Sequence, residues 1–459
     1  MFTDVSHLIA TNPPGLHYGV TAADLDGDGE TEFFVCGYGG PNRVLKWING
    51  ELRDIAPVEL ADVGRQAIGV AAADFDGDGR EELYILNTDT FAGPKDHADR
   101  LFQRSLDDVW SDLFARPEHR NLRNLAAGRS VAAIDRRGTG RYAFFVANYG
   151  RPIRFYELAL DGTLTELAEA LGMDLTTGGR GLVVAPLASD RPDIFCTNEH
   201  GANFLFRNTG LGTFAEVAVE HGLADAVEHG RGVTVLDLDG DGRLDLAYGN
   251  WDGPHRLMLR TSRGDYRNIA PPAFAFPSRI RTVIAADFDN DGHEEIFFNN
   301  LGESNRLFRI QDGTARMISC GAAEEPLGLG TGAAIADIDN DGILELLIAH
   351  GEDAPQPLSL YKVIDAGRNW LRVTARTRFG APARGATVKA VVNGKPLVRV
   401  LCGGSGYLCQ MEPVAHFGLG TATKADSISV TWPDGVSITM EDPTTHALID
   451  VSYFSDVES

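Results

Sequence analysis

One nine-residue phrase recurs along this chain, and the interval between copies decides what the chain can fold into. The pattern D-x-D-x-D-G-x-x-[DE] begins at Asp24, Asp74, Asp237, Asp287 and Asp337. A diverged copy begins at Asp135 and a shorter one lies near Leu187, so successive starts are 50, 61, about 52, about 50, 50 and 50 residues apart. Self-similarity at a fixed period overrides the usual division of a 459-residue chain into about three unrelated domains. Each unit must bury its apolar face against its neighbour.

Within a unit the text reads as four short strands. A small-residue run such as "GVTAA" precedes the acidic loop, and an aromatic or alternating run such as "EFFVCG" follows it. A third segment ("NRVLKW", "HRLMLR", "NRLFRI") and a fourth ("LRDIA", "FAEVA", "YRNIA") complete the unit. Period-2 alternation broken by Gly, Asn and Asp is the pattern of strands and turns. Four strands per unit, repeated, predict an all-β fold, a seven-bladed β-propeller, which leaves no long sheet edge exposed. The seventh unit has no fourth strand of its own, and "FTDVS" (Phe2–Ser6) has the missing pattern. The N-terminus is therefore expected to close the last blade.

The loops themselves point to a metal. Carboxylates at positions 1, 3, 5 and 9 can converge on one point, the position-7 carbonyl adds a ligand, and Gly at position 6 allows the sharp turn. An oxygen-only set suits a hard cation, and its ligand number favours Ca²⁺. The proposed ligands are Asp24, Asp26, Asp28 and Glu32; Asp74, Asp76, Asp78 and Glu82; Asp237, Asp239, Asp241 and Asp245; Asp287, Asp289, Asp291 and Glu295; and Asp337, Asp339, Asp341 and Glu345. Glu30, Arg80, Arg243, His293 and Ile343 supply the position-7 carbonyls. Metal-free Asx turns are the alternative, but they leave four like charges unrelieved in one loop. Blade 3 ("DRRGTGRYA") places Arg137, Thr139 and Ala143 at ligand positions, so it is expected to be empty, with Arg filling the charge hole. Blade 4 ("PLASDRPDIF") is shorter and also expected to be empty. About five Ca²⁺ ions are predicted, in blades 1, 2, 5, 6 and 7.

These loops resemble the FG-GAP/VCBS-type repeats of integrin α-subunit propellers and their bacterial relatives. The resemblance covers residues 1–365 and implies a propeller whose blades are stiffened by Ca²⁺. Residues 366–459 read differently, as a small β-sandwich-like module with "NGK" and "PDG" turns. Here "ARGATV" (Ala383–Val388), "GSGYL" (Gly404–Leu408) and the stretch from "HFGLG" at His416 to "VTWPDG" ending at Gly435 resemble the ASPIC/UnbV domain. That domain commonly follows such repeats and implies no defined chemistry.

Twenty of the 65 acidic residues are the carboxylates at positions 1, 3, 5 and 9 of the five intact loops, so the net charge of −24 reads as a set of cation sites. The same charge excludes nucleic acid as a partner, because phosphates would be repelled. No apolar run is long enough to span a membrane. "MFTDVSHLIA" lacks the features of a signal peptide, which predicts a cytoplasmic protein, or a secreted one where a leader has been removed. Five cysteines are sparse; Cys402 and Cys409 are close enough for a local bridge, and otherwise read as small strand residues.

No P-loop, HExxH, GxSxG, CxxC or dinucleotide fingerprint occurs. "GLGTGAA" (Gly328–Ala334) occupies an inner-strand position and reads as close packing. The repeat instead locates a candidate face opposite the acidic loops. Six residues before the first Asp stand Tyr18, Ile68, Arg129, Arg231, Arg281 and Thr331, with Arg180 matching in blade 4. Thirteen after it stand Gly37, Asn87, Asn148, Asn250, Asn300 and His350, with Asn198 in blade 4. Arg129, Arg180, Arg231 and Arg281 are expected to line one side of an axial funnel ringed by Asn. They serve either as scaffold, bonded to neighbouring carbonyls, or as a pocket for a carboxylate or other anion. Glu199, His200, Trp251, Asp252, His255, Glu303 and Glu352 lie nearby, and the long second unit is expected to add a rim or lid.

Three functions fit: a Ca²⁺-binding propeller that takes a small-molecule anion or a protein partner in this funnel; an intracellular biosynthetic enzyme of cyclase, isomerase or lyase type acting there; and an extracellular adhesion protein.

Overall fold

The computed structural model describes residues 1–453 apart from 106, 312, 365, 366 and 405. Among them, strand pairing gives four-stranded antiparallel units in sequence, of which the first comprises His17–Ala23, Glu32–Gly37, Arg43–Ile48 and Glu51–Asp54. The first strands of successive units are Ala67–Ala73, Gly128–Ile134, Thr176–Ala185, Gly230–Leu236, Ile280–Ala286 and Gly330–Ala336. Each packs on the next, and Gly330–Ala336 packs back on His17–Ala23, so the array closes as a β-propeller around an axis. Small residues on these strands follow from the crowding there: a Cβ at Gly332 would meet the Tyr18 carbonyl of the next unit. "GLGTGAA" is strand packing. The third and fourth units depart from simple repetition, because Tyr149–Pro152 extends to pair with Thr176–Gly178 and fuses their sheets into one.

The last unit is completed from the other end of the chain. Phe2–Asp4 pairs antiparallel with Ser359–Val363, in the register Phe2↔Val363 and Asp4↔Tyr361. The Phe2 ring lies edge-on to Phe288 at 5.0 Å and Phe297 at 6.0 Å, so the closing strand is held by a buried aromatic as well as by its ladder.

After residue 368 two sheets share one core. Ala415–Gly420, Asn369–Ala375 and Leu448–Val451 form the first, with the last two strands parallel. Lys395–Val400, Thr387–Val392, Ser427–Thr431 and Ser437–Glu441 form the second. Leu371, Val373, Val388, Phe417, Ile428 and Trp432 meet between them.

This module sits on the acidic-loop side of the propeller. Arg384 is buried and pairs with Glu81 at 2.6 Å; Arg372 joins Asp337 (2.8 Å) to Glu412 (2.6 Å). The segment between Lys395–Val400 and Ala415–Gly420 enters the axial channel, where it bonds to first strands of four units. The Ala133 amide donates to Gly403 O (2.8 Å), Gly406 to Val233 O (2.9 Å), Val70 to Leu408 O (3.3 Å) and Gln410 to Val20 O (2.9 Å). The Gln410 carboxamide is fully buried: its oxygen accepts from Ala72 N (2.8 Å) and Thr21 Oγ1 (2.9 Å), and its nitrogen donates to Gly403 O (2.6 Å). Cys402 and Cys409 are free thiols here, accepting from Val184 N (3.2 Å) and Val20 N (3.4 Å); the local bridge is not formed.

Candidate functional site

The acidic loops follow from turn chemistry repeated five times. The first Asp accepts from the amide of position 6: Gly29 to Asp24 at 2.9 Å, Gly79 to Asp74 at 3.0 Å, Gly242 to Asp237 at 2.9 Å, Gly292 to Asp287 at 2.8 Å, Gly342 to Asp337 at 2.9 Å. That turn needs a left-handed residue, and Gly29 has φ +90°. Position 5 accepts from the amide of position 7, as in Glu30 to Asp28 (3.0 Å), Arg80 to Asp78 (3.0 Å), Arg243 to Asp241 (2.8 Å), His293 to Asp291 (2.9 Å) and Ile343 to Asp341 (3.0 Å). The position-9 carboxylate reaches back to the amide of position 2: Leu25 to Glu32 (2.7 Å), Phe75 to Glu82 (2.8 Å), Leu238 to Asp245 (2.8 Å), Phe288 to Glu295 (3.2 Å) and Ile338 to Glu345 (2.8 Å).

The result is a converging set of oxygens. One oxygen from each of Asp24, Asp26 and Glu32 lies within 4.8 Å of the other two; so do those of Asp74, Asp76 and Asp78, of Asp237, Asp239 and Asp245, of Asp287, Asp289 and Asp291, and of Asp337, Asp339 and Glu345. The donor sets fit a hard divalent cation. Glu82 Oε1 is buried, accepts no hydrogen bond and has no ion pair. Burial, with neighbouring carboxylates adding to it, pushes Glu32 and Glu345 up to about 8 and Asp74, Asp245 and Asp287 to about 7. Carboxylates so placed hold their negative charge poorly until a cation joins them.

The sequence reading missed part of this chemistry. Opposite position 9, on the third strand, stand Lys46, Gln103, Leu259, Arg309 and Lys362 in the five units. The Lys46 ammonium lies 2.5 Å from both Asp26 and Asp28 and 3.3 Å from Glu32. Lys362 likewise contacts Asp339 (2.7 Å), Asp341 (2.9 Å) and Glu345, and Arg309 contacts Asp289, Asp291 (3.6 Å) and Glu295 (2.9 Å). Three loops therefore carry a counter-charge from the third strand; the other two have Gln103 and Leu259 there, and instead pair position 5 with the position-7 side chain, Arg80 with Asp78 and Arg243 with Asp241. The signal was in the sequence, a basic residue one position past the centre of "RVLKW" and its equivalents, but it becomes readable only with the strand register.

The two degenerate loops differ from expectation in one respect. Asp135 is buried and satisfied by the amides of Thr139 (3.0 Å) and Gly140 (2.6 Å), yet Arg137 is exposed and fills no hole. It is Arg136 that is buried, paired with Glu157 at 2.7 Å. In the fourth unit Asp193 closes the shortened turn, accepting from Leu187, Ala188 and Ser189 amides at 3.0, 2.7 and 2.8 Å.

At the other end of the first strands, the four arginines form an arc. Arg129, Arg180, Arg231 and Arg281 are at most 9% exposed. Aromatic rings interleave them: Tyr149 lies under Arg129 (5.8 Å) and Arg180 (4.8 Å), and Trp251 under Arg231 (5.1 Å) and Arg281 (4.8 Å). Glu199 bridges Arg180 and Arg231, the latter at 2.6 Å, and Glu352 pairs with Arg281 at 2.9 Å. Arg129 has no carboxylate; it donates to the Phe91 carbonyl. Among the described residues, none provides a hydrogen-bond partner for any of the four buried Nε atoms. The floor of the arc is Tyr407, delivered through the channel by the C-terminal module. Arg180 donates to its hydroxyl at 3.4 Å, and Arg281 lies 5.8 Å from its ring centre. Burial alone would raise the Tyr407 phenol, but Arg180, Arg281, Arg129 and Arg231 outweigh it and bring it down to about 8.

The asparagine ring does not face this mouth. Asn148 donates to Pro152 O (2.7 Å), Asn250 to Pro254 O (2.7 Å) and Asn300 to Ser304 O (2.7 Å), while Asn198 accepts from Gly178 N at 2.6 Å. Each is nearly fully buried and pins its own turn, because a short amide after a strand reaches its own loop before it reaches the axis. His350 does the same, bonding Pro357 O (2.8 Å) and Glu325 (3.1 Å). His255 is also internal: it accepts from Asn250 N, and burial, with Arg306 and Arg256, lowers it to about 3. His200 is exposed at the rim, 2.8 Å from the Tyr149 hydroxyl. In the long second unit Phe91 supplies rim, stacked on Arg129 at 5.1 Å, but Leu113 and Phe114 are buried in the core and form no lid.

A family model described as an FG-GAP-like repeat matches residues 24–85, 188–248, 237–298 and 287–348, and one described as ASPIC and UnbV matches 377–456. Cartilage acidic protein 1 of Xenopus tropicalis is 45% identical, over 99% of this chain and 77% of its own length. The Homo sapiens protein of that name is 44% identical, over 100% and 76%. This chain belongs to the cartilage acidic protein 1 family. Solved structures similar to it include BBS1N in complex with ARL6DN, with a TM-score of 0.48 at 10% identity over 80% of this chain and 97% of that one. The BP39L lectin from Burkholderia pseudomallei has a TM-score of 0.47 at 15% identity over 75% and 99%. Among the described residues of this family member, no helix is long and apolar enough to cross a membrane.

Proposed function

We propose that this chain is a calcium-binding β-propeller that holds Ca²⁺ in its five intact FG-GAP loops and takes an anionic ligand on the arginine arc at the opposite end. In each loop the carboxylates at positions 1, 3, 5 and 9 would hold the ion, which would supply charge neutralisation and lock the first two strands of the unit together. The observation that carries the ligand reading is an imbalance. Four guanidiniums meet two carboxylates, Glu199 and Glu352, and every Nε is unpaired among the described residues, in a protein whose net charge is −24. Scaffold arginines bonded to carbonyls would be expected to be matched one by one; only Arg129 among the four reaches a carbonyl of another unit.

Isothermal titration of the calcium-loaded protein with sodium acetate tests this reading. The expected result is saturable binding that Arg281→Gln weakens at least tenfold, with the melting temperature of the variant within a few degrees of the parent. Titration heats that match dilution in the parent would sink it. Metal content after dialysis, read by atomic emission, is expected at five calcium ions per chain.

A further inference from the structure

The mouth of the propeller has two halves of different chemistry. Six residues before the loop, units 3 to 6 place arginine, whereas the seventh, first and second units place Thr331, Tyr18 and Ile68. On the uncharged side the Tyr18 and Tyr38 rings lie 5.5 Å apart, both half-buried, resting on a cluster that contains Ile68 and Leu408. The two halves are joined by one residue. Glu352 pairs with Arg281 at 2.9 Å, and burial, with the nearby charge of Glu352, raises the Tyr18 phenol. Glu352 stands in the left-handed region at φ +65° and is the more exposed of the two internal carboxylates, at 34% against 13% for Glu199.

We infer that the ligand is an aromatic carboxylate, whose acid group displaces Glu352 from Arg281 and whose ring lies against Tyr18 and Tyr38. This rests on the anion-site reading above and narrows it. Glu352 shows the geometry the acid group takes: against a guanidinium, at the boundary of the two halves. A ligand carboxylate there makes the same charge-assisted bond to Arg281. A ring carried by that carboxylate reaches the tyrosine pair, where an offset or edge-on contact adds binding that a bare anion cannot obtain. A cation gains nothing at this place, since it would meet the arc of arginines.

The test uses the calcium-loaded full chain and 2-naphthoate, followed by its intrinsic fluorescence, with acetate and 2-naphthylmethylammonium as the two halves of the probe. Naphthoate is expected to bind at least tenfold more tightly than acetate, and the ammonium compound not to bind. Glu352→Gln, which removes the internal competitor, is expected to tighten naphthoate several-fold. Tyr38→Ala is expected to reduce naphthoate affinity to that of acetate while leaving acetate binding unchanged; if that variant melts early, Tyr38→Leu keeps the packing and removes most of the ring contact. Equal affinities for acetate and naphthoate overturn the inference and leave the anion site standing. Absence of binding by either anion overturns both. Binding of the ammonium compound as tight as that of naphthoate also overturns both, since the arginines then contribute nothing.

Discussion

Two charge clusters sit at opposite ends of the ring of first strands, and they are stabilised by opposite means. At the acidic end carboxylates are crowded by turn geometry, with amides from the loop itself holding each one in place. Their mutual repulsion would be relieved by a bound cation, and in three units it is eased by the third-strand side chains Lys46, Arg309 and Lys362. At the basic end guanidiniums are spaced by rings, with Tyr149 and Trp251 between successive arginines. Planar, weakly hydrated guanidinium tolerates stacking, so like charges can be layered with aromatics; carboxylates have no such option and need a cation. The fold thus puts the carboxylate cluster where loops can adjust and the guanidinium cluster where strands begin.

The largest effect that separates the two ends is metal removal. EGTA is expected to lower the melting temperature by more than 10 °C, since a site at a thousandfold over Kd contributes about 4 kcal/mol to the folded state. A thermal scan with and without excess Ca²⁺ measures it, and coincident curves would break the comparison at its acidic end.

Next in size is Tyr407→Phe. A phenol whose folded pKa is about 8, against an ordinary value of 10, stabilises the fold as phenolate. The contribution is full above pH 10 and is lost as pH falls through 8. The parent is therefore expected to gain about 2 kcal/mol over Tyr407→Phe between pH 7 and pH 10. Tyrosinate absorbance near 295 nm should show one group titrating near pH 8, absent in the variant. Arg129, Arg180, Arg231 and Arg281 are the charges that set this shift.

A smaller effect divides the acidic loops among themselves. In EGTA, Asp76→Asn removes repulsion from a loop that has only Gln103 opposite, and is expected to stabilise by about 1 kcal/mol. Asp339→Asn leaves Lys362 short of a partner and is expected to destabilise by a similar amount. Chemical denaturation in chelator reads both signs. The smallest effect is on affinity: Lys362→Met removes the resident cation from loop 7 and is expected to tighten calcium there several-fold.

What was legible in the sequence follows from how local each interaction is. The acidic loops could be read because all four carboxylates fall within nine residues. The propeller could be read because its repeat is written five times nearly unchanged. The arginine arc was placed by repeat arithmetic, and Arg129 to Arg281 do converge. The same arithmetic misplaced Asn148, Asn198, Asn250 and Asn300, because spacing fixes where a residue sits and not whether its amide turns inward to its own loop. Tyr407 was out of reach altogether. It stands in a different module, and only the passage of its segment through the channel, bonded to Val20, Val70, Ala133 and Val233, brings it under the arginines. Lys46, Arg309 and Lys362 needed the strand register that puts them opposite position 9.

The pairing of Phe2–Asp4 with Ser359–Val363 bears on how the molecule is made. An open array of repeats can begin to hold its shape as soon as a few have been synthesised. Here the ribosome must deliver some 360 residues before the first ones find their partner, and the ring must then close around a segment made later still. Contacts so distant in sequence are slow to form. Until they do, the strand edge at Ser359–Val363 and the apolar ring of Phe2 are open to other chains, so this is a molecule whose synthesis in the cell invites chaperone protection of its two ends.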